Sequence, residues 1–183
     1  MNKTMKILFA AALAVTTSGA ALASQICAYV NDNSAANSTE GYMICPVIAS
    51  THVGPYSTNG IGGAGPYTAS NLAATREAEG DLYIENVGSN NITHFIVNKT
   101  NCALTLDPTL YASGDIGSSE GVSLAITLDG QTMFDGSVNE DHIYSHTIAA
   151  DGSLGAPFTE SSSLSWSIDG MEVSPDGKTL VVS

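Results

Sequence analysis

The chain has 183 residues, of which 18 are Asp or Glu and only five are Lys or Arg, so its formal net charge is −13. Such an acidic surface repels phosphate backbones and anionic lipid headgroups, which argues against binding to nucleic acid or to a membrane surface. High charge with few apolar residues would predict disorder. Here 43% of the residues are hydrophobic, and this favours a packed fold.

The first 23 residues have the pattern of a secretory signal peptide. Two lysines in MNKTMK precede the short apolar run ILFAAALAV, and Ala21-Leu22-Ala23 offers the small residues that signal peptidase recognises. The alternative, an apolar first helix of the domain, fits this short run and its flanks less well. We expect cleavage after Ala23 and export of a soluble chain, residues 24–183, to the periplasm or the extracellular space. No later stretch approaches the ~18 apolar residues of a membrane span.

The three cysteines suggest one disulfide bond in an oxidising compartment. Cys27 and Cys45 flank a predicted hairpin and are the candidate pair, which would leave Cys102 buried or free. The sequence contains neither a C-x-x-C motif nor a Cys/His ligand pattern. We therefore expect no zinc site, and we assign no metal and no cofactor.

Four stretches of the chain resemble one another. They are CAYVNDNSAANSTEGYMI, LYIENVGSNNITHFIV, MFDGSVNEDHIYSHTI and the final LVVS. Aligning Tyr29, Tyr83, Phe134 and Val181 gives successive offsets of 54, 51 and 47 residues. Three further columns then align: Thr39, Ile92 and Ile143; Tyr42, Phe95 and His146; and Ile44, Val97 and Ile148. These columns define the repeat units 27–81, 82–132 and 133–179 and the start of another at 180–183.

Each unit contains short runs with β chemistry. LYIEN and NITHFIV are rich in β-branched and aromatic residues and are separated by the turn VGSN. A third strand is predicted in CALTLDPTLYA, where Pro108 suggests an outer edge, and a fourth in GVSLAITL. In the first unit, PYSTNGIGGAGPYTASN predicts a long surface loop in place of a regular third strand.

Two Asp-Gly pairs close corresponding strands. Asp129-Gly130 follows GVSLAITL, and Asp176-Gly177 follows SIDGMEVS one repeat later. Asp-Gly favours tight turns because Gly adopts positive φ without steric cost, so we interpret these four residues as structural. A calcium site is the alternative for acidic turns, but the D-x-[DN]-x-[DN]-G spacing of a calcium loop is missing.

Four strands in a period of about fifty residues predict an all-β fold built from the blades of a β-propeller. A β-sandwich, with turns every 8–12 residues or so, is the alternative. A sandwich does not need to repeat its sequence, so the propeller is favoured. Residues 24–183 would supply about three four-stranded blades and the first strand of a fourth.

The repeats resemble those of the YVTN-type, lactonase-like seven-bladed β-propellers. The similarity runs from about Ile26 onward and is carried by AYVNDNS…EGYMI, LYIENVGSNNITHFIV and VSPDGKTLVVS. It implies that SPDGKTLVVS opens a further blade, that the chain is a fragment of a longer propeller, and that more repeats follow Ser183. It also implies a possible activity, since some members of the family open lactones, including phosphorylated sugar lactones.

Lactone opening needs a general acid or base and hydrogen-bond donors for the developing oxyanion. The histidines at positions 52, 94, 142 and 146 have no recognisable catalytic partner in sequence. His146 shares its column with Tyr42 and Phe95, which favours a packing role. Phosphorylated lactones favour Arg or Lys clamps, yet the exported chain has three basic side chains against 18 acidic ones, a net charge of −15. No catalytic residue of the family can be assigned to a position here.

Two functions remain open. The first is an exported, non-catalytic propeller that acts as a rigid scaffold and presents its loops to a protein or glycan partner. The alternative is a lactonase-like hydrolase of the 6-phosphogluconolactonase family, whose site lies partly in further blades. Because closed propellers typically have about 4–8 blades, closure would need the remaining blades of a longer chain or a partner chain.

Overall fold

The computed structural model describes residues 25–45, 48–63, 73–76, 79–114, 122–137, 142–161, 168 and 170–183. Within these ranges the regular elements are β-strands, and no helix is long and apolar enough to cross a membrane. The strands are β1 (Ile26–Asn31), β2 (Ser38–Cys45), β3 (Ile48–Ser57), β4 (Ala73–Arg76), β5 (Asp81–Asn86), β6 (Asn91–Val97), β7 (Leu104–Ala112), β8 (Val122–Ile126), β9 (Thr132–Ser137), β10 (Ile143–Thr147), β11 (Phe158–Ser161), β12 (Met171–Val173) and β13 (Leu180–Val182).

The strands form four antiparallel sheets in chain order. Sheet 1 contains β1, β2 and β3; sheet 2 runs from β4 to β7; sheet 3 runs from β8 to β11; and sheet 4 is the hairpin of β12 and β13. In each sheet, strands that are consecutive in the chain are neighbours. The all-β class and the repeated four-stranded antiparallel sheets predicted from the sequence are confirmed.

The sheets and the sequence units are offset by one strand. β8 ends the unit 82–132, but it pairs with β9 of the next unit, and the Asp129-Gly130 turn joins the two strands. The hairpin of β12 and β13 has the same construction around Asp176-Gly177. The first strands β4, β8 and β12 also lie side by side, with β8 in contact with both β4 and β12. We call these three strands the inner row.

Hydrophobic layers fill the seams between successive sheets. Successive side chains of a strand point to opposite faces, so in β5 Leu82 and Ile84 face sheet 1 while Tyr83 faces sheet 3. The first seam contains Leu82, Ile84, Phe95 and Leu104 with Tyr29 and Tyr56; the second contains Tyr83, Ile92, Leu124, Met133, Ile148 and Leu154; and the third contains Ala125, Ile168 and Met171.

The aligned columns of the repeat take equivalent places in the sheets. Tyr29, Tyr83 and Phe134 each pack toward the following sheet. Phe95 packs toward the preceding sheet. Tyr42, from the same column as Phe95, is 38% exposed, because no sheet precedes sheet 1 within the described part of the chain.

The first unit is more regular than the sequence predicts. Its third strand, β3, runs from Ile48 to Ser57 and pairs with β2, so Pro55 and Tyr56 belong to a strand and not to the predicted loop. The Gly54–Pro55 peptide bond is cis. Proline is tolerated here because β3 is an edge strand, paired only with β2.

The predicted disulfide between Cys27 and Cys45 is wrong, because Cys27 is bonded to Cys102 with their Cα atoms 5.3 Å apart. Cys27 lies two positions from Tyr29 in β1, so both side chains face sheet 2. Tyr29 Oη donates a hydrogen bond to the carbonyl oxygen of Cys102, 2.9 Å away. The strand therefore presents Cys27 to the turn after β6, and the bond links sheet 1 to sheet 2.

Candidate functional site

Buried ionisable side chains are concentrated in the seam between sheets 2 and 3. His94 enters this seam from β6 and His146 enters it from β10, and each is 1% exposed. Their carboxylate and guanidinium partners come from neighbouring strands. We call the set the seam cluster: Arg76, Asp81, His94, Asp107, Asp135 and His146.

His94 is held between two carboxylates. Its Nε2 lies 2.9 Å from Oδ1 of Asp81, and its Nδ1 lies 3.2 Å from Oδ2 of Asp107. Both partners are carboxylates, so a carboxylate oxygen faces each ring nitrogen. Tyr111 Oη donates to the same Asp107 oxygen over 2.8 Å. Neither ring nitrogen of His94 is left to take a proton from a substrate.

Arg76 connects the inner row to the next sheet. It is buried, and its Nε and Nη2 lie 2.7 and 2.5 Å from Oδ2 of Asp81. Its Nη1 donates to the carbonyl oxygens of Gly130 and Ala149, at 3.4 and 3.1 Å. The side chain of Arg76, the one arginine of the sequence, is therefore engaged within the seam.

Two Asp-Gly turns pack tightly against the seam cluster. A Cβ at Gly130 would lie 2.7 Å from Cδ of Arg76, and a Cβ at Gly152 would lie 2.5 Å from Cε1 of His94. Both glycines have positive φ. Tyr83 stacks on the His94 ring, with centroids 5.0 Å apart, and donates from Oη to the Gly152 carbonyl oxygen over 2.8 Å. Glycine at these two positions therefore allows the turn and also lets sheets 2 and 3 approach closely.

His146 lies on the other side of the same seam. Its Nε2 is 3.2 Å from Oδ2 of Asp135, and its Nδ1 is 3.0 Å from the carbonyl oxygen of Gly155. The same Asp135 oxygen accepts the backbone N–H of Gly114, at the end of β7, over 2.8 Å. Asp135 therefore links sheet 3 to sheet 2. Its Oδ1 is buried and has no hydrogen-bond partner among the described residues.

Burial and hydrogen bonding shift the pKa values of the cluster in opposing ways. Burial lowers the pKa of His146, but the hydrogen bond and the charge of Asp135 outweigh it, so the pKa is raised. Burial raises the pKa of Asp107, but donors from Thr109, Tyr111 and His94 bring it down to about 2. These shifts favour the charged forms of His146 and Asp107, and hence a cluster that stabilises the seam.

The predicted turn residues lie outside the seam cluster and make local hydrogen bonds. Thr127 Oγ1 and the Gln131 N–H both donate to Oδ1 of Asp129. In the next repeat, Ser174 Oγ and the Lys178 N–H donate to Oδ1 of Asp176. Gly130 and Gly177 have φ values of 67° and 70°. Each Asp therefore orders its own turn.

The other two histidines are not brought into the cluster. His52 is exposed on β3, and its Nε2 contacts the Glu40 carboxylate of β2. His142 stacks on Tyr144, with ring centroids 5.9 Å apart, and is half-buried. Among the residues that are described, no group of three or more His, Cys, Asp or Glu side chains could hold a metal ion.

A second polar network, which the sequence analysis missed, lies in the first seam. Asn86 Oδ1 accepts from Asn37 Nδ2 and Thr58 Oγ1, at 2.8 and 2.6 Å, and Asn86 Nδ2 donates to Thr93 Oγ1 over 2.8 Å. Asn86 is the last residue of the LYIEN motif. A polar residue recurs at the end of that motif, and this recurrence was the sequence signal for the network. The Asn86 side chain therefore joins sheets 1 and 2 in addition to shaping its own hairpin.

No protein-family model and no curated protein matches the sequence. Among solved structures, a "putative 6-phosphogluconolactonase" from Bacteroides uniformis is 14% identical with a TM-score of 0.64, over 85% of this chain and 46% of that chain. The β-propeller domain of Cps50 (Swd1) from Myceliophteria thermophila is 15% identical with a TM-score of 0.46, over 86% of this chain and 50% of that chain. This chain thus spans about half the length of each.

The fold is that of a partial β-propeller. The four-stranded antiparallel sheets, their packing in chain order and the inner row of first strands all agree with this architecture. At these levels of identity, the likeness to solved structures shows the fold alone.

Proposed function

We propose that the protein is an exported β-propeller scaffold that binds a protein or glycan partner and does not catalyse a reaction. The observation that carries the proposal is the burial of the seam cluster. The groups best suited to acid–base chemistry or to binding an anion, His94, His146 and Arg76, all have partners within the seam. Catalysis needs such groups within hydrogen-bond reach of a substrate.

The cavity beside the cluster supports the same proposal. It has a volume of about 420 Å³ and lies at the end of the seam, next to Arg76. Glu79 and Asp129 line it, while the charge of Arg76 is already balanced by Asp81. An acidic cavity repels a phosphorylated lactone, which requires basic clamps. The remaining lining residues are Gln131, Ile148 and Ala150.

The alternative function is a lactonase-like hydrolase. It is favoured by the similarity in fold to the Bacteroides uniformis protein whose name includes 6-phosphogluconolactonase. In that case the catalytic groups would lie in part on further blades, and this chain would supply one portion of the site. Both proposed functions require ring closure, either by the remaining blades of a longer chain or by a partner chain.

Export and activity are tested on the secreted chain. Expression with a C-terminal tag, followed by intact mass measurement, should give an N-terminus at Ser24, and retention of the leader in the cytoplasm would contradict export. The secreted chain is then assayed for hydrolysis of neutral and phosphorylated sugar lactones. We expect no rate above that of buffer. Hydrolysis by the wild type at a rate above that of buffer would overturn the scaffold proposal.

A further inference from the structure

The loop that follows β3 contains the one Asn-Gly pair of the sequence, Asn59-Gly60. Asn59 is exposed and has a positive φ of 58°, a conformation that Asn tolerates better than most residues. Gly60 is required by packing, since a Cβ there would lie 2.2 Å from Cγ of Asn86, whose side chain is fixed by its hydrogen bonds. The fold therefore places an exposed carboxamide directly before a residue without a side chain.

An Asn-Gly pair is prone to cyclisation. The backbone nitrogen of the residue after an asparagine can attack the Cγ atom of the asparagine and close a succinimide ring. A side chain on that following residue hinders the attack. Glycine has no Cβ and the widest range of backbone conformations, so the nitrogen of Gly60 approaches Asn59 without hindrance from a side chain.

The contacts around Asn59 are compatible with this reaction. The Gly60 N–H donates to Thr58 Oγ1 over 3.3 Å, so no short hydrogen bond holds the attacking nitrogen. Ser57 Oγ donates to Asn59 Oδ1, also over 3.3 Å. A long hydrogen bond of this kind can tighten in the transition state, and there it would stabilise the negative charge that develops on Oδ1.

We propose that Asn59 is a site of spontaneous covalent modification in the folded chain. The deprotonated nitrogen of Gly60 bonds to Cγ of Asn59, the carboxamide C–N bond breaks, and the amino group leaves as ammonia together with the proton that Gly60 lost. One water then opens the succinimide. Opening at the side-chain carbonyl gives aspartate, and opening at the main-chain carbonyl gives isoaspartate, in which the main chain runs through Cβ and Cγ.

Isoaspartate lengthens a main chain that is fixed on both sides of Asn59. Before it, the Thr58 N–H donates to the Asn37 carbonyl oxygen over 3.0 Å, and the Thr58 carbonyl oxygen accepts from Thr93 Oγ1 over 2.7 Å. After it, the Gly60 carbonyl oxygen accepts from the Asn37 N–H over 3.3 Å. An additional main-chain atom between these bonds is incompatible with keeping all of them.

The residues after Gly60 leave no room for a shift. A Cβ at Gly62 would lie 2.3 Å from the carbonyl carbon of Asn33, and a Cβ at Gly88 would lie 2.4 Å from the carbonyl oxygen of Gly62. The loop is thus in backbone contact with the turns that follow β1 and β5. We expect isoaspartate to displace the loop and to break the polar network of the first seam, while the disulfide keeps sheets 1 and 2 joined.

The inference is independent of the proposed function, because the modification needs neither a partner nor a substrate other than water. It gives the chain a covalent change that accumulates with time and loosens the first seam. A scaffold and a hydrolase would both undergo it, so its failure says nothing about either function.

The test is incubation of the secreted, folded chain at neutral and mildly alkaline pH, followed by chymotryptic peptide mapping. The peptide that begins at Ser57, after Tyr56, should gain the mass that replaces an amino group by a hydroxyl, and enzymatic carboxyl methylation should detect isoaspartate in it. Because the nitrogen attacks in its deprotonated form, the rate should rise in proportion to the hydroxide concentration. Asn98, which is exposed but followed by Lys99, is the internal control and should stay unmodified.

Variants at two positions make the test specific. Asn59→Gly suits the positive φ and removes the carboxamide, so its peptide map should not change with time. Ser57→Ala should slow the conversion about fivefold, the effect of one neutral hydrogen bond, and Ser57→Thr should restore the rate. Conversion of Asn59 only in the urea-unfolded chain, or at the same rate as conversion of Asn98, would overturn the proposal.

The consequence for the first seam is measured on the modified chain, which carries an additional negative charge and separates by anion exchange. Hydrogen exchange at the amides of Asn37, Thr58 and Gly62 should be faster than in the unmodified chain, and exchange in β9 and β10 should not change. Equal exchange rates in the two forms would overturn the predicted loosening.

Discussion

His94 approaches the second seam from sheet 2, and His146 approaches it from sheet 3. His94 has a carboxylate at each ring nitrogen, while His146 has one carboxylate and one backbone carbonyl. In both cases an acceptor oxygen faces each ring nitrogen. The two histidines therefore hold buried acceptor oxygens in place on both sides of the seam.

The role of His146 was predictable from the sequence only in part. Its column, with Tyr42 and Phe95, predicts a packing position, and the side chain is indeed buried. Its partner Asp135 aligns with Ile84. A carboxylate in a column of apolar residues was therefore a sequence signal for a buried polar pair. The pairing itself depends on the register of β9 and β10, in which His146 lies opposite Met133. A single sequence does not determine that register.

The raised pKa of His146 makes the stability of the seam depend on pH. A folded-state pKa above the ordinary 6.5 means that the stabilisation is fully present below pH 6.5 and is lost as pH rises through the folded pKa. We expect the difference in unfolding free energy between wild type and His146→Gln to shrink as pH increases from about 6 to about 9. Urea titrations across this range measure it, and a difference that grows with pH would contradict the assignment.

Among the elements, the strands with strong β patterns were predicted best. NITHFIV coincides with β6, and LYIEN lies within β5. Pro108 lies in β7, which is the outer edge strand of its sheet as predicted. β3 was missed because Gly54 and Pro55 resemble loop residues, although an edge strand tolerates both. Tertiary pairing with β2 decides the conformation there.

The bond between Cys27 and Cys102 joins two elements that are far apart in sequence. A loop closed over 75 residues restricts the unfolded chain and should stabilise the fold by about 4 kcal/mol. We expect the double variant Cys27→Ser/Cys102→Ser to lose about this amount in urea unfolding. Peptide mapping without reductant should recover Cys27 linked to Cys102.

Cys45→Ser provides the matched control for this bond. The variant should keep the linkage between Cys27 and Cys102 and should not lose the stabilisation that the bond provides. A map in which Cys27 is linked to Cys45 would show that the sequence-based pairing was right and that the first seam is not cross-linked.

For the whole molecule, the repeat determines the architecture and the seams hold it together. A blade buries both faces against its neighbours and cannot be stable alone. The sequence period predicted four-stranded blades because each unit contains the same turns and strands. The seam cluster could not be predicted, since its side chains come from six strands, β4, β5, β6, β7, β9 and β10, and meet only when two sheets pack together.

The central claim is that the seam cluster has a structural role, and the unfolding free energy of His94→Gln tests it most directly. Removing His94 leaves Asp81 and Asp107 without their shared partner, which should cost about 3 kcal/mol. The control His52→Gln, at an exposed position, should change stability by no more than about 0.5 kcal/mol. Active-site groups are often held at a cost in stability. A His94→Gln variant as stable as the wild type, or more stable, would contradict the structural role.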